Sequence, residues 1–319
     1  MEHLLKVNQL TIGYQGKLLI KGINCALYQN EFVVVLGKNG IGKSTFINTI
    51  LGFVPVQEGE ILLQNKKLNQ IPKAELAQQI AVVFSKLHQV PPIKVFDVLK
   101  IARIPYHHYL KSTKESEINL IHQMLDLVGI AELKDKLATE LSEGQLQLVM
   151  IARALVQETP ILILDEPTAN LDLANQLRIF KLIKKLKETT NKAIVMITHE
   201  AQLGLDFADK IWWIEDQQLI EGSPEDLAFT HQIIPKLSGN YLQFNSINRF
   251  YDLQTNGNVI CKINHSSELA FWLNKALVRL QVNLDENLLE SIEINEKNII
   301  FESQKFESIQ SFLNYIKSV

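Results

Sequence analysis

The chain has 319 residues, of which 46% are apolar and 21% charged, and its formal net charge is −3. These are the proportions of a globular protein larger than one ordinary domain, and the slightly acidic balance leaves no basic footprint for DNA or RNA. No apolar run reaches the roughly 18 to 20 residues that span a bilayer, and residues 1–6 lack the build of a signal peptide, so the chain itself is expected not to cross a membrane. Cys25 and Cys261 are far apart and without metal-ligand spacing, which reads as two reduced thiols.

In chain order, residues 3–35 read as short β segments, with 18–24 and 26–28 typical of an antiparallel flank. The β-branched run Phe32-Val33-Val34-Val35-Leu36 predicts a buried strand, and residues 46–51 predict a helix. Between them stands Gly37-Lys38-Asn39-Gly40-Ile41-Gly42-Lys43-Ser44-Thr45. Glycines in that place let backbone N–H groups turn inward on phosphates, and the helix N-terminus adds a dipole that favours negative charge. Lys43 is expected to reach the β- and γ-phosphates and Ser44 to place its hydroxyl on Mg²⁺, so the loop predicts binding of ATP or GTP.

A further strand is expected over residues 80–84, and the stretch from about 87 to 155 reads as mostly helical. Residues 114–129 carry Ile118, Ile121, Leu125 and Val128 at spacings of three and four. His107-His108 lack neighbouring acidic or cysteine ligands and read as a loop feature. Leu141-Ser142-Glu143-Gly144-Gln145 opens another helical run to Leu155. Ile161-Leu162-Ile163-Leu164-Asp165-Glu166 is an apolar strand ending in two carboxylates, the place where a parallel sheet delivers metal ligands to a nucleotide crevice. Asp165 is expected to hold Mg²⁺, and Glu166 to polarise the water that attacks the γ-phosphate. A helix follows over 173–188, with Leu177, Phe180 and Leu186, and then a strand over 193–197 leading to Thr198-His199. Strand and helix alternate, which predicts an α/β core.

The phosphate loop, the 141–145 segment and the carboxylate-ended strand together resemble the nucleotide-binding subunit of an ATP-binding cassette (ABC) transporter. The resemblance implies a P-loop NTPase of ABC type, with an antiparallel β subdomain and a helical subdomain at about 87–155. It implies ATP and Mg²⁺ as ligands, a nucleotide cradle at Gly37, Asn39, Gly40, Gly42, Lys43, Ser44 and Thr45, and Tyr14 stacked on adenine. Catalytic roles fall to Glu166, to Lys43 and to His199 at the position of the family's switch histidine. The family's signature is usually LSGGQ, and here Glu143 replaces its first glycine. Ser142, Gly144 and Gln145 remain to bind the γ-phosphate held by the opposite subunit, and Asp172 to couple the two sites, so the chemistry implies a homodimer.

The family's glutamine after the strand at 80–84 is missing. Position 85 is serine and Gln89 lies four residues on; either stands for it, Ser85 as a possible metal contact. A serine or threonine there, with Ile101-Ala102-Arg103-Ile104-Pro105-Tyr106 and Gly222-Ser223-Pro224-Glu225-Asp226-Leu227, is similar to cassettes that import iron chelates. The implied function is the ATP-hydrolysing subunit of an importer for an iron-siderophore. It would work on the cytoplasmic face of the inner membrane with integral-membrane permease subunits and, indirectly, a substrate-binding protein. Cobalamin, haem, zinc and manganese import stand as alternatives, as does a soluble ABC ATPase without a permease. Two joined cassettes or a coiled-coil insertion would mark that last class, and the sequence has neither.

The cassette is expected to occupy residues 1–237, with Ser238-Gly239-Asn240 as a linker and 240–319 as an accessory α+β domain. In the latter, residues 259–263 and 299–301 read as strands, 268–280 and 306–316 as helices, and 295–298 as a hairpin turn. A module of about 80 residues is close to the lower size for independent folding, so support of the dimer is its expected role.

Overall fold

The computed structural model describes residues 2–14, 16–84, 92–106, 114–231, 233–237, 242–245, 250–253, 273, 292–294, 299–306 and 308–318. Ser85, Gln89, His107-His108, the linker at 238–240, the strand expected over 259–263, the turn at 295–298 and all of 268–280 save Leu273 lie outside them. The chain divides into two compact units, Met1–Ile233 and Ile234–Val319.

In the first unit, β1 (His3–Tyr14) and β2 (Lys17–Tyr28) are antiparallel and join β4 (Glu58–Leu63) and β5 (Lys66–Lys67) in a sheet of order β2-β1-β4-β5. The expected short segments are therefore corrected to two strands of 12 residues each. The pairing continues through apparent breaks because bulges absorb odd residues; one register shift falls between Val7 and Leu10, where Gln9 takes a left-handed φ of 47°.

The second sheet has the order β10-β9-β3-β8-β7-β6. Its strands are β3 (Phe32–Gly37), β6 (Ile80–Val83), β7 (Ile161–Asp165), β8 (Ala193–Ile197), β9 (Lys210–Glu215) and β10 (Gln218–Gly222). β9, β3, β8, β7 and β6 run parallel, and β10 closes the edge antiparallel to β9. β3 is buried on both faces, which is why it reads as an uninterrupted apolar run.

Successive β3 side chains face opposite layers. Val33 and Val35 join Phe46, Trp212 and the inner residues of the antiparallel sheet in one core, where Phe46 from α1 (Lys43–Ile50) stands edge-on to Trp212 at 5.8 Å. Val34 faces α7 (Ala201–Phe207) so closely that a Cβ on Gly204 would lie 3.0 Å from its Cγ1. Phe180 of α6 (Leu173–Thr190) packs between Phe32 and Phe207 on that same side. Truncating Phe46 to alanine would remove a fully buried ring shared by helix and sheet, at a cost of about 3–5 kcal/mol.

α2 (Lys73–Gln79) leads into β6, and the helical part follows as α3 (Val95–Ile101), α4 (Glu115–Val128) and α5 (Glu143–Val156). α4 buries Ile121, Leu125 and Val128 and stops at Gly129, whose φ of 74° suits a left-handed cap. Arg103 ties this part together: it meets Glu117 of α4 at 3.3 Å and donates to the Val156 carbonyl at the end of α5 at 3.0 Å. Ser223 caps α8 (Pro224–His231), accepting from the Asp226 N–H, and α9 (Ile233–Leu237) follows in the chain. Among the described residues no helix is long and apolar enough to cross a membrane.

In the second unit, β11 (Leu242–Asn245) pairs with β12 (Phe250–Leu253), and β13 (Glu293–Ile294), β14 (Ile299–Phe301) and β15 (Gln304–Phe306) form an antiparallel sheet. Helix Ile309–Ser318 follows, so Phe306, expected to open a helix, instead ends a strand. The turn at Glu302 and Ser303 has both residues left-handed, with φ of 49° and 65°, and such a turn is hard to foresee without glycine or asparagine. Phe301, Phe306, Phe312 and Tyr315 stack edge-to-face or tilted at 5.3–6.3 Å. Leu273 is helical and fully buried.

Candidate functional site

The C-terminal ends of β3, β8 and β7 lie side by side, with Val35 and Asp165 both in register with Ile197. The loops leaving these ends are thereby brought together, which is where ligands bind in parallel α/β sheets. The loop after β3 turns into α1 through Gly40, at φ 74°, and Gly42, at φ 118°. Side-chain-bearing residues rarely adopt either value, and at Gly42 a Cβ would also press on Leu19 at 3.3 Å. Lys43, the first residue of α1, is 5% exposed and its Nζ donates to the carbonyls of Gly37 at 2.7 Å and Lys38 at 3.1 Å. Burial pulls its pKa down, opposed by the nearby carboxylates of Glu166 and Asp165.

Asp165 ends β7. Burial raises its pKa, the neighbouring Glu166 raises it further, and Lys43 and His199 work against the rise. Its Oδ1 is buried without a hydrogen-bond partner in the protein. An orphaned carboxylate oxygen beside a glycine-rich phosphate loop fits a Mg²⁺ ion or its water, because a hard cation seeks such an oxygen.

Glu166 takes a left-handed φ of 51°, and its N–H donates to the Ile197 carbonyl at 3.0 Å, which pins it to the end of β8. His199 Nε2 lies 2.7 Å from Glu166 Oε1. Beneath them the buried hydroxyls of Thr168 and Thr198 meet at 3.3 Å, and Thr198 Oγ1 also accepts from the Glu200 N–H at 3.0 Å. The Thr168–Thr198 contact thus ties the loop after β7 to the loop after β8.

A cavity of about 550 Å³ opens over these loops, lined by Asn39, Gly40, Gly42, Lys43, Ser44, Thr45, Glu166 and His199, and also by Lys17 and Leu19. β1 includes Tyr14, which pairs with Lys17 in the strand register. Ser142, Gly144, Gln145 and Asp172 do not line this cavity and meet elsewhere. Ser142 caps α5 in a reciprocal box with Gln145: Gln145 N donates to Ser142 Oγ at 3.3 Å, and Ser142 N donates to Gln145 Oε1 at 3.1 Å. Asp172 caps α6, accepting from the Asn175 N–H at 2.8 Å. The two caps are neighbours, since a Cβ on Gly144 would lie 3.7 Å from Leu171 and 3.8 Å from Asn175. Glu143 is exposed in the first turn of α5.

Sequence reasoning missed Lys17, Leu19 and the Thr168–Thr198 contact. The Ser142-to-Gln145 spacing did carry the capping-box signal, and Gly16 before Lys17 marked a hairpin end beside Tyr14. Nothing local in sequence announces that two threonines thirty residues apart will touch.

Residues 20–169 match the family described as ABC transporter. The petrobactin import ATP-binding protein FpuD of Bacillus anthracis is 31% identical over 228 residues, which is 71% of this chain and 84% of that protein. The manganese transport system ATP-binding protein MntB of Listeria innocua is 33% identical over 232 residues, 72% of this chain and 94% of that one. Among solved structures, cbiO1 from Clostridium perfringens, part of the ABC transporter complex cbiONQ, superposes with a TM-score of 0.66. It is 31% identical, and the match covers 75% of this chain and 95% of that one.

Proposed function

We propose that this chain, which belongs to the ABC transporter family of ATP-binding proteins, energises an importer for an iron chelate. It is the ATPase subunit of an ABC transporter, using ATP and Mg²⁺. The observation that carries the reading is the convergence of Lys43, Asp165, Glu166 and His199 on three adjacent strand ends, with Glu166 and His199 2.7 Å apart.

In this proposal the N–H groups of the Gly40–Thr45 turn and the Lys43 ammonium hold the phosphates, and the Ser44 hydroxyl and Asp165 hold Mg²⁺. The ion would supply charge neutralisation at the phosphate oxygens. Glu166 accepts a proton from the attacking water, and His199 holds the Glu166 carboxylate in place and senses the γ-phosphate. Tyr14 lies at the adenine end.

ABC ATPases function as dimers with membrane permease partners. We infer a homodimer for this chain, in which the exposed caps at Ser142–Gln145 and Asp172 face the nucleotide of the second copy. Leu173, 65% exposed beside Asp172, is apolar surface suited to that contact. Phe53 and Phe84, exposed and 6.4 Å apart, offer apolar surface to a permease, as does Ile104. The proposed location is the cytoplasmic face of the membrane, with a substrate-binding protein delivering cargo from the other side.

The iron-chelate reading rests on the 101–106 and 222–227 segments and on the likeness to the petrobactin importer's subunit. Manganese is the second reading, supported by a relative of similar identity. Uptake of radioactive iron-siderophore and of radioactive manganese by cells with and without this chain separates them. Loss of iron-chelate uptake alone is the expected result, and loss of manganese uptake alone would replace it.

A further inference from the structure

The cavity over the phosphate loop is lined by a second basic residue, Lys17, besides Lys43. Lys17 opens β2, and both it and Leu19 line the cavity. Lys17 is exposed and makes no ion pair among the described residues. Lys43, by contrast, is buried and already bonded to the Gly37 and Lys38 carbonyls. The Glu166 carboxylate in the same cavity is held by His199. Lys17 therefore brings an uncommitted positive charge to a pocket that a glycine-rich loop lines, and Leu19 lies close against Gly42 of that loop.

We propose that Lys17 is a second cationic anchor for the phosphate chain of the bound nucleotide, on the wall that β2 contributes. The inference rests on the nucleotide reading of this cavity and deepens it. A triphosphate bound by Mg²⁺ and Lys43 keeps net negative charge, and Lys17 offsets part of the remainder at the cavity mouth. Because the ammonium is solvent-exposed, its contribution is modest and is screened by salt. It acts on any ligand with phosphates and on none without them. As an exposed residue at a hairpin end, it can be replaced without disturbing the core.

The test is equilibrium binding of MgATP, MgADP and adenosine to the full chain, wild type and Lys17→Ala, at low and high salt. Lys17→Ala should weaken both nucleotides about fivefold at low salt, with the difference shrinking at high salt. Adenosine binding should stay as in wild type. Lys17→Glu should weaken them further, and Lys17→Arg should restore binding. Lys21→Ala, a change of an exposed lysine on the same strand but not on the cavity wall, should have no effect. Wild-type nucleotide affinity in both Lys17→Ala and Lys17→Glu would overturn the assignment. So would an equal loss for adenosine, which would make Lys17 part of the base or sugar wall. If the wild-type chain itself takes up no MgATP, the nucleotide reading fails, an outcome distinct from failure of the Lys17 assignment.

Discussion

His199 Nε2 and Glu166 Oε1 stand 2.7 Å apart, although the two residues lie in loops that follow different strands and neither is fully buried. The contact fixes the glutamate carboxylate in the lining of the cavity. Replacement of His199 by alanine should therefore leave MgATP affinity near wild type and lower kcat by about 10²-fold, since a base that loses its orienting partner loses effective geometry. Steady-state kinetics separate the two effects. A raised KM with unchanged kcat would make the histidine a binding group instead.

Lys43→Ala should act on binding. In the proposed site the change removes a charge-assisted contact to the phosphates, and about 1.5–3 kcal/mol of lost interaction corresponds to roughly 10- to 160-fold weaker MgATP binding. Titration with a fluorescent nucleotide measures it, and unaltered affinity would remove Lys43 from the phosphate site.

Asp165 predicts a pH-dependent effect on stability. Burial and Glu166 raise its folded pKa above the ordinary value, so the folded protein holds that proton more tightly than the unfolded chain. The resulting stability is fully present below the ordinary aspartate pKa and is lost as pH rises through the raised value. Asp165→Asn should accordingly raise the Tm of the ligand-free protein at neutral pH, with the gain fading on acidification into the ordinary carboxylate range. Thermal melts across that range check it. A gain independent of pH would point to a cause other than ionisation.

Much of the site was legible because its parts are local. The glycine spacing before Lys43, the apolar run ending at Asp165 and the strand before His199 are each contiguous, and each lies in the structure at the end of a parallel strand. What escaped was non-local. Bulges that lengthen β1 and β2 depend on pairing with a partner strand, the Thr168–Thr198 contact depends on β7 lying beside β8, and Lys17 reaches the cavity only because β2 folds back over the phosphate loop. In the second unit, the Glu302-Ser303 turn hid a hairpin because neither residue type favours the left-handed region it occupies.

Glu143 poses two opposing effects. Exposed in the first turn of α5, its charge favours the helix dipole by about 0.3–1 kcal/mol, while in the proposed dimer it opposes the phosphates of the second copy's nucleotide. Glu143→Gly should thus lower the stability of the isolated chain by about 1 kcal/mol, glycine adding its own helix penalty, yet strengthen ATP-dependent association. Sedimentation at low and high salt with ATP reads the second effect. Unchanged association at low salt would show that Glu143 faces away from the nucleotide, and weaker association that it makes a favourable contact across the interface.

If this chain hydrolyses ATP at the cavity where Glu166 meets His199, steady-state MgATP hydrolysis by wild type and Glu166→Gln will show it. The amide preserves size but cannot take a proton. Turnover should fall by about 10²- to 10⁴-fold while MgATP still binds with near wild-type affinity. A Glu166→Gln protein that retains most of the wild-type turnover would contradict it.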